Sequence, residues 1–175
     1  MGAEVLDLQG FRLARAVAQA RDFFKARLDL SLTEKTSLAD LPDSAIAFLV
    51  DTQPAQTEFL HQFIIRVLGM GRGVGFEYLE GEAKMQVLDV YLFLLDQLRF
   101  ECLYRLKWLS SFPARDCPLV LMIVSPATVK AEAGQPVLSA DHPDYQEYMT
   151  RREVDGEVVI RRLIADAVAA FKVFK

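Results

Sequence analysis

The residues of this sequence with the types and spacing to do chemistry fall into a few groups. Gly69, Gly71, Gly73 and Gly75 alternate with Met70, Arg72 and Val74. Glycines at every second position let backbone N–H groups approach an anion, and a central guanidinium would add a bidentate partner. Gly71, Arg72 and Gly73 are therefore candidate ligand-binding residues. The segment is neither a dinucleotide fingerprint nor a P-loop. Phe76 stands where the third glycine of G-x-G-x-x-G would be needed, no Lys-Ser/Thr pair follows, and a helical pattern precedes it. Read structurally, the same glycines make a turn between helices.

Asp89 and Asp96 are seven residues apart, two turns of a helix, on one side with Phe93 between them. Burial there would raise their pKa values and make them acid/base candidates, whereas exposure would make them solubilising charges. The aromatic neighbours favour an edge partly covered by another element. Glu58 and His61 have the Glu-x-x-His spacing of dimetal carboxylate sites. Such sites need the pair twice plus further carboxylates, and His142 lacks a companion Glu, so no metal site is expected. His61 stays as a candidate ligand contact. Cys117 has no placeable base, no G-x-S-x-G occurs, and His142 between Asp141 and Asp144 reads as a turn residue. No catalytic constellation is complete and no cofactor is implied.

These groups must be positioned mainly by helices. The run from Glu80 to Ser110 has no Pro and, after Gly81, no Gly. Leu88, Tyr91, Leu95, Leu98 and Cys102 draw one apolar stripe, and Phe93 and Phe100 with Val90 and Trp108 draw a second roughly opposite. A helix apolar on two sides wants neighbours on two sides, so this run is expected to be the central helix. Leu13, Val17, Ala20, Phe24 and Leu28 predict a helix from about Leu8 or Phe11 to Leu28, with scattered basic residues on its exposed arc. Ser37–Asp40 predicts a single helical turn, Ala45–Val50 either a short buried helix or a strand with the helix preferred, and Thr52-Gln-Pro a helix start running to Gly69.

The later part is less regular. Leu119–Val124 is apolar throughout and reads as a strand. Ser125–Gly134 reads as a two-turn helix, and Asp141 starts another to about Arg152. Asp155-Gly156 is a hairpin signal, but pairing across it leaves neither face apolar, so a terminal helix from about Val158 or Ile160 to Val173 is preferred, with a short hairpin within 148–163 as the alternative. Phe23, Tyr104, Phe112 and Phe174 fall outside the apolar stripes. Clustered on a surface, they would mark an interface.

The expected fold is thus mainly α, one globular domain over 1–175 around the 80–110 helix with a minor β element near 119–124. An α+β domain with a small sheet, that strand pairing near Val137 or Val158–Ile160, is the alternative. A hydrophobic fraction of 52% and a charged fraction of 25% suit a folded chain. The net charge of -4 argues against nucleic acid or anionic membrane as main partner. Charges punctuate the longest apolar run, so no span is expected. The start has no basic stretch before an apolar run, and two cysteines make no disulfide framework, so a cytoplasmic protein is expected. Two classes of function follow. One is a non-enzymatic interaction or scaffold protein that self-associates through surplus apolar surface on the central helix. The other is a small-molecule or anion-binding protein, or an enzyme, built on 69–75 with His61, Asp89 or Asp96 nearby.

Overall fold

The apolar spacing in the first two thirds of the chain produces the helices it predicts, except that the central helix expected to reach Ser110 ends at Arg105: Lys107 takes φ +62° and Leu109–Ser111 is a strand. In the computed structural model, which describes residues 7–71 and 73–173, α1 spans Leu8–Leu28, α2 Asp43–Leu49, α3 Pro54–Val67 and α4 Gly81–Arg105. Arg72 and Phe174, singled out above, lie outside the described residues, as does the N-terminal stretch 1–6. Pro54 occupies the first position of α3, where its missing N–H costs nothing. Gly69 ends that helix at φ +70°, with the Met70 N–H donating to Ile65 O and the Gly69 N–H to Arg66 O at 3.0 Å each. These two bonds satisfy carbonyls that the last turn would otherwise leave free.

The mainly helical class with a small sheet is observed, but the β element is elsewhere. Leu119–Val124 is a helix, α5, whose first internal bond runs from the Met122 N–H to Pro118 O at 3.1 Å. An all-apolar run of six does not reveal its period. Packed among α1, α3 and α4, the segment is entered from a single bridge between Pro118 and Ser37, with the Leu119 N–H donating to Thr36 O at 2.8 Å, and the peptide groups that follow are satisfied by coiling. The sheet is instead β1 (Leu109–Ser111) against β2 (Val137–Leu138), antiparallel and two-stranded.

The remaining helices are α6 (Pro126–Glu132), α7 (Tyr145–Arg151), α8 (Gly156–Arg162) and α9 (Ile164–Val173). No hairpin forms at Asp155-Gly156. An ion pair from Arg151 to Asp155 closes the link between α7 and α8. Gly156 is buried there because a Cβ would lie 3.2 Å from Cε2 of Tyr148. The glycine serves a close approach, not a positive φ.

α4 organises this assembly, with α2, α3, α5, α9 and β1 against it. From Phe93 to Leu103 only Asp96 and Arg99 keep partial exposure. Inside this apolar setting sits one carboxylate, Glu101, with no exposed surface. It accepts from Arg105 Nε at 2.6 Å and from Arg115 Nε at 3.0 Å. Arg105 in turn donates to Asp43 Oδ1 at 2.6 Å and to the Leu38 and Leu41 carbonyls at 3.0 and 2.7 Å. The i,i+4 pair of Glu101 and Arg105 is therefore an internal clamp between α4, the 3-10 turn Leu38–Asp40 and the start of α2.

The unassigned aromatics belong to the interior as well. Phe23 stacks on Phe59 at 5.1 Å, Phe112 meets Phe100 at 5.9 Å, and Tyr104 lies under the Arg115 guanidinium at 4.6 Å.

Removing the buried carboxylate leaves two arginines facing a hole. Glu101→Ala is expected to lower the unfolding free energy by about 3–5 kcal/mol, as breaking one side of a buried ion pair does. A urea denaturation curve reads this directly, and a loss below about 1 kcal/mol would show that the clamp contributes little.

Candidate functional site

The half of α4 before Phe93 is covered differently from the half after it. Glu82, Met85, Asp89 and Leu92 are exposed and Asp96 is half-exposed, at alternating steps of three and four residues. They lie on one helical face. Tyr78, in the 3-10 turn before α4, is exposed as well. Tyr78, Met85 and Leu92 keep 77%, 56% and 51% of their surface exposed. These residues fell outside both apolar stripes of the sequence. Their own three-and-four spacing was a signal that could have been read.

Beside this face runs a groove of about 640 Å³. α4 supplies Asp89, Phe93, Asp96, Gln97 and Phe100. The facing walls carry Lys130 from α6, the segment from Ala133 to Pro136, and Glu157 and Arg161 from α8. Arg161 donates to Asp96 Oδ2 at 2.8 Å and to Glu157 Oε1 at 2.7 Å. Asp96 and then Glu157 hold the Arg161 guanidinium above its ordinary pKa, against the pull of burial. Lys130 lies 4.9 Å over the Phe93 ring and makes no ion pair with a described residue, and neither does Asp89. Gln97 is 8% exposed, lines the groove, and makes no hydrogen bond to a described residue. A second, more open depression continues from Asp89 past Met85 to Gly81 and Pro126.

Of the sequence candidates, Asp89 and Asp96 come together here, on the partly covered edge expected for them. Gly71, Gly73 and His61 do not line this groove. Gly71 and Gly73 are exposed at φ +121° and +76°. Gln62 Nε2 donates to Val74 O at 2.8 Å and ties the segment to α3. His61 is stacked on Phe76 at 4.1 Å and meets Tyr91 edge-on at 4.7 Å. Its Nε2 is buried without a hydrogen-bond partner among the described residues. Glu58, its motif partner, accepts instead from Gln62 at 3.2 Å. The Cys117 thiol is pushed up in pKa by burial and by Glu132, the wrong direction for a nucleophile. His142 takes the Asp144 N–H on Nδ1 at 3.2 Å and turns the chain beside Trp108. Gln97, Lys130 and Arg161 were missed because their role comes from elements brought together in space.

No family model, curated protein or solved structure matches this chain. Among the described residues, no helix is long and apolar enough to cross a membrane.

The buried imidazole has a pH signature. Desolvation lowers the His61 pKa from 6.5, partly offset by Glu58 and Glu77. The unfolded chain therefore takes up the proton first. The neutral-His contribution to stability is present above pH 6.5 and is lost as the pH falls below it toward the folded value. Melting temperatures should drop on acidification through this window, and His61→Phe should show a shallower drop. Parallel curves for the two proteins would contradict the assignment.

Proposed function

We propose that the protein is a non-enzymatic interaction module that assembles with itself, using the open face of α4 as its contact surface. One observation carries this reading. The helix around which the chain folds leaves Met85 and Leu92 exposed one seven-residue step apart, with Tyr78 exposed in the turn before it. That is the register in which helices seat against one another. Covering apolar side chains stabilises a complex by about 25 cal/mol per Å² removed from water, and the adjoining groove gives a partner's side chains room to enter. The groove lining holds no Ser, Cys or His. Asp96 and Glu157, two of its carboxylates, are engaged by Arg161.

Gln97 favours a second reading, a small ligand held in the groove. Its side chain lines the groove and has no hydrogen-bond partner among the described residues, so its donors and acceptor are available to an occupant. A ligand with a carbonyl or amide over the Phe93 and Phe100 rings would pair with it. The reading based on Arg72 and the glycine segment draws no comparable support.

Sedimentation velocity over about two decades of concentration separates the two. Self-assembly predicts a dimer or larger species for the wild type, and a folded monomer for Met85→Glu combined with Leu92→Glu. A wild type that stays monomeric throughout overturns it. The ligand reading predicts a stabiliser in a thermal-shift screen of small amides, carboxylates and amines, with the shift abolished in Gln97→Leu. A screen without any stabiliser overturns that one.

A further inference from the structure

The open face of α4 is acidic, and this constrains what can lie against it. Glu82 and Asp89 flank Met85, and Asp96 follows Leu92. Two copies of this face laid together would set carboxylate against carboxylate, a juxtaposition that disfavours pairing. An isologous α4–α4 contact, the simplest two-fold arrangement, is therefore a poor solution. A helix face both apolar and basic would fit.

The chain carries such a face. On α1, Leu8, Phe11, Arg15 and Ala18 follow one another at steps of three, four and three, with Arg12 beside them, and all are exposed. Leu8 and Phe11 keep 69% and 68% of their surface. α1 packs on α3 and α5 and buries Ala16, Ala20 and Phe24, so its outward face is left uncovered by the described residues. The other α1 cations are engaged locally. Arg21 pairs with Asp22, Lys25 with Asp29, and Arg27 lies 4.8 Å over the Phe48 ring. Arg12 and Arg15 make no ion pair, hydrogen bond or ring contact with a described residue.

We infer that the α4 face of one copy receives the Leu8–Arg15 face of α1 from a second copy. Leu8 and Phe11 cover Met85 and Leu92, and Arg12 and Arg15 meet Asp89 and Glu82. This rests on the self-assembly reading above and names the mate of the α4 face. Each copy offers one donor face and one acceptor face. Reciprocal docking closes an isologous two-fold dimer, while one-way, heterologous docking builds a ring or an open chain. Because exposed ion pairs are screened, the assembly weakens as salt is raised.

Charge exchange tests this in the full-length protein. One variant carries Arg12→Glu and Arg15→Glu, the other Glu82→Lys and Asp89→Lys, all at exposed positions, with folding checked by circular dichroism. Each alone should assemble at least about tenfold more weakly than the wild type. Mixed in equal amounts, they should restore assembly to near the wild-type affinity, because each reversed α1 then meets a reversed α4. Failure of the mixture to recover overturns the inference. So does a wild-type-like assembly of the Arg12→Glu, Arg15→Glu variant. In that case, a monomeric Met85→Glu, Leu92→Glu variant would leave the α4 face standing as the contact surface with some other mate. A wild type that is monomeric yet sediments with phosphatidylserine vesicles would assign the α1 face to a lipid surface and overturn both readings.

Discussion

The fold depends on the charge buried with Glu101. A carboxylate without exposed surface is tolerated only where cations and donors replace its water, and here Arg105 and Arg115 do so. Each arginine arrives from a different direction. Arg105 is on α4 itself but reaches out to Asp43 and two loop carbonyls, while Arg115 comes from the 3-10 turn Pro113–Asp116. For Arg105, burial opposes its charge, yet Glu101 and Asp43 together hold its pKa above the ordinary value. The network therefore fixes three stretches of chain around one turn of α4. It can form only when all three are in place, which makes it a test of correct assembly as well as a contribution to stability.

That clamp gives α4 two unlike halves. Around Glu101 the helix is walled in by α2, α9 and β1, and nearly every residue from Phe93 on is buried. Before Phe93, Tyr91 meets His61 of α3, while Glu82, Met85, Asp89 and Leu92 leave one side open. The groove lies where the two regimes meet. Its aromatic floor, Phe93 and Phe100, belongs to the second apolar line of the helix, and Phe112 fills the space behind Phe100. Lys130 and Arg161 lie over those rings at 4.9 and 5.8 Å, so the groove is apolar below and charged at its rim. A solvent-facing slot of this kind survives because the clamp, not the groove, holds the elements together.

Much of this was legible in the sequence, and the failures have physical causes. α1, α3 and α4 could be read because each has a stripe at helical spacing and recognisable end residues such as Pro54 and Gly69. The pairing of Asp89 with Asp96 on one partly covered side was legible from their seven-residue spacing. Leu119–Val124 could not be read, since six apolar residues without a polar one show no period and their surroundings alone choose the conformation. Asp155-Gly156 misled because the same dipeptide that suits a tight hairpin also suits a close approach to an aromatic ring. The placement of Phe23, Tyr104 and Phe112 could not be read from their spacing; Phe112 is buried, Phe23 and Tyr104 are partly covered, and each meets a ring or guanidinium from another element. Gln97 and Lys130 carried no local mark at all, because a groove is a property of facing elements.

The register of the proposed contact between α1 and α4 follows from helix geometry. On α1 the apolar residues Leu8 and Phe11 precede the cations Arg12 and Arg15. On α4 the free carboxylates Glu82 and Asp89 alternate with Met85 and Leu92, while Asp96 is already engaged by Arg99 and Arg161. Both helices rise equally per residue, so parallel helices with Leu8 beside Glu82 bring Phe11 beside Met85 and Arg15 beside Asp89. Antiparallel helices with Leu8 beside Leu92 set Phe11 beside Asp89 and Arg15 beside Met85, and the charges then meet only diagonally. Charge register therefore favours the parallel arrangement, against the macrodipoles, which favour the antiparallel one. The net charge of -4 is unevenly spread, since α1 holds five basic residues against one acid and the remainder of the chain is correspondingly acidic. Such a charge distribution draws the basic end of one copy toward the acidic face of another before any apolar contact is made.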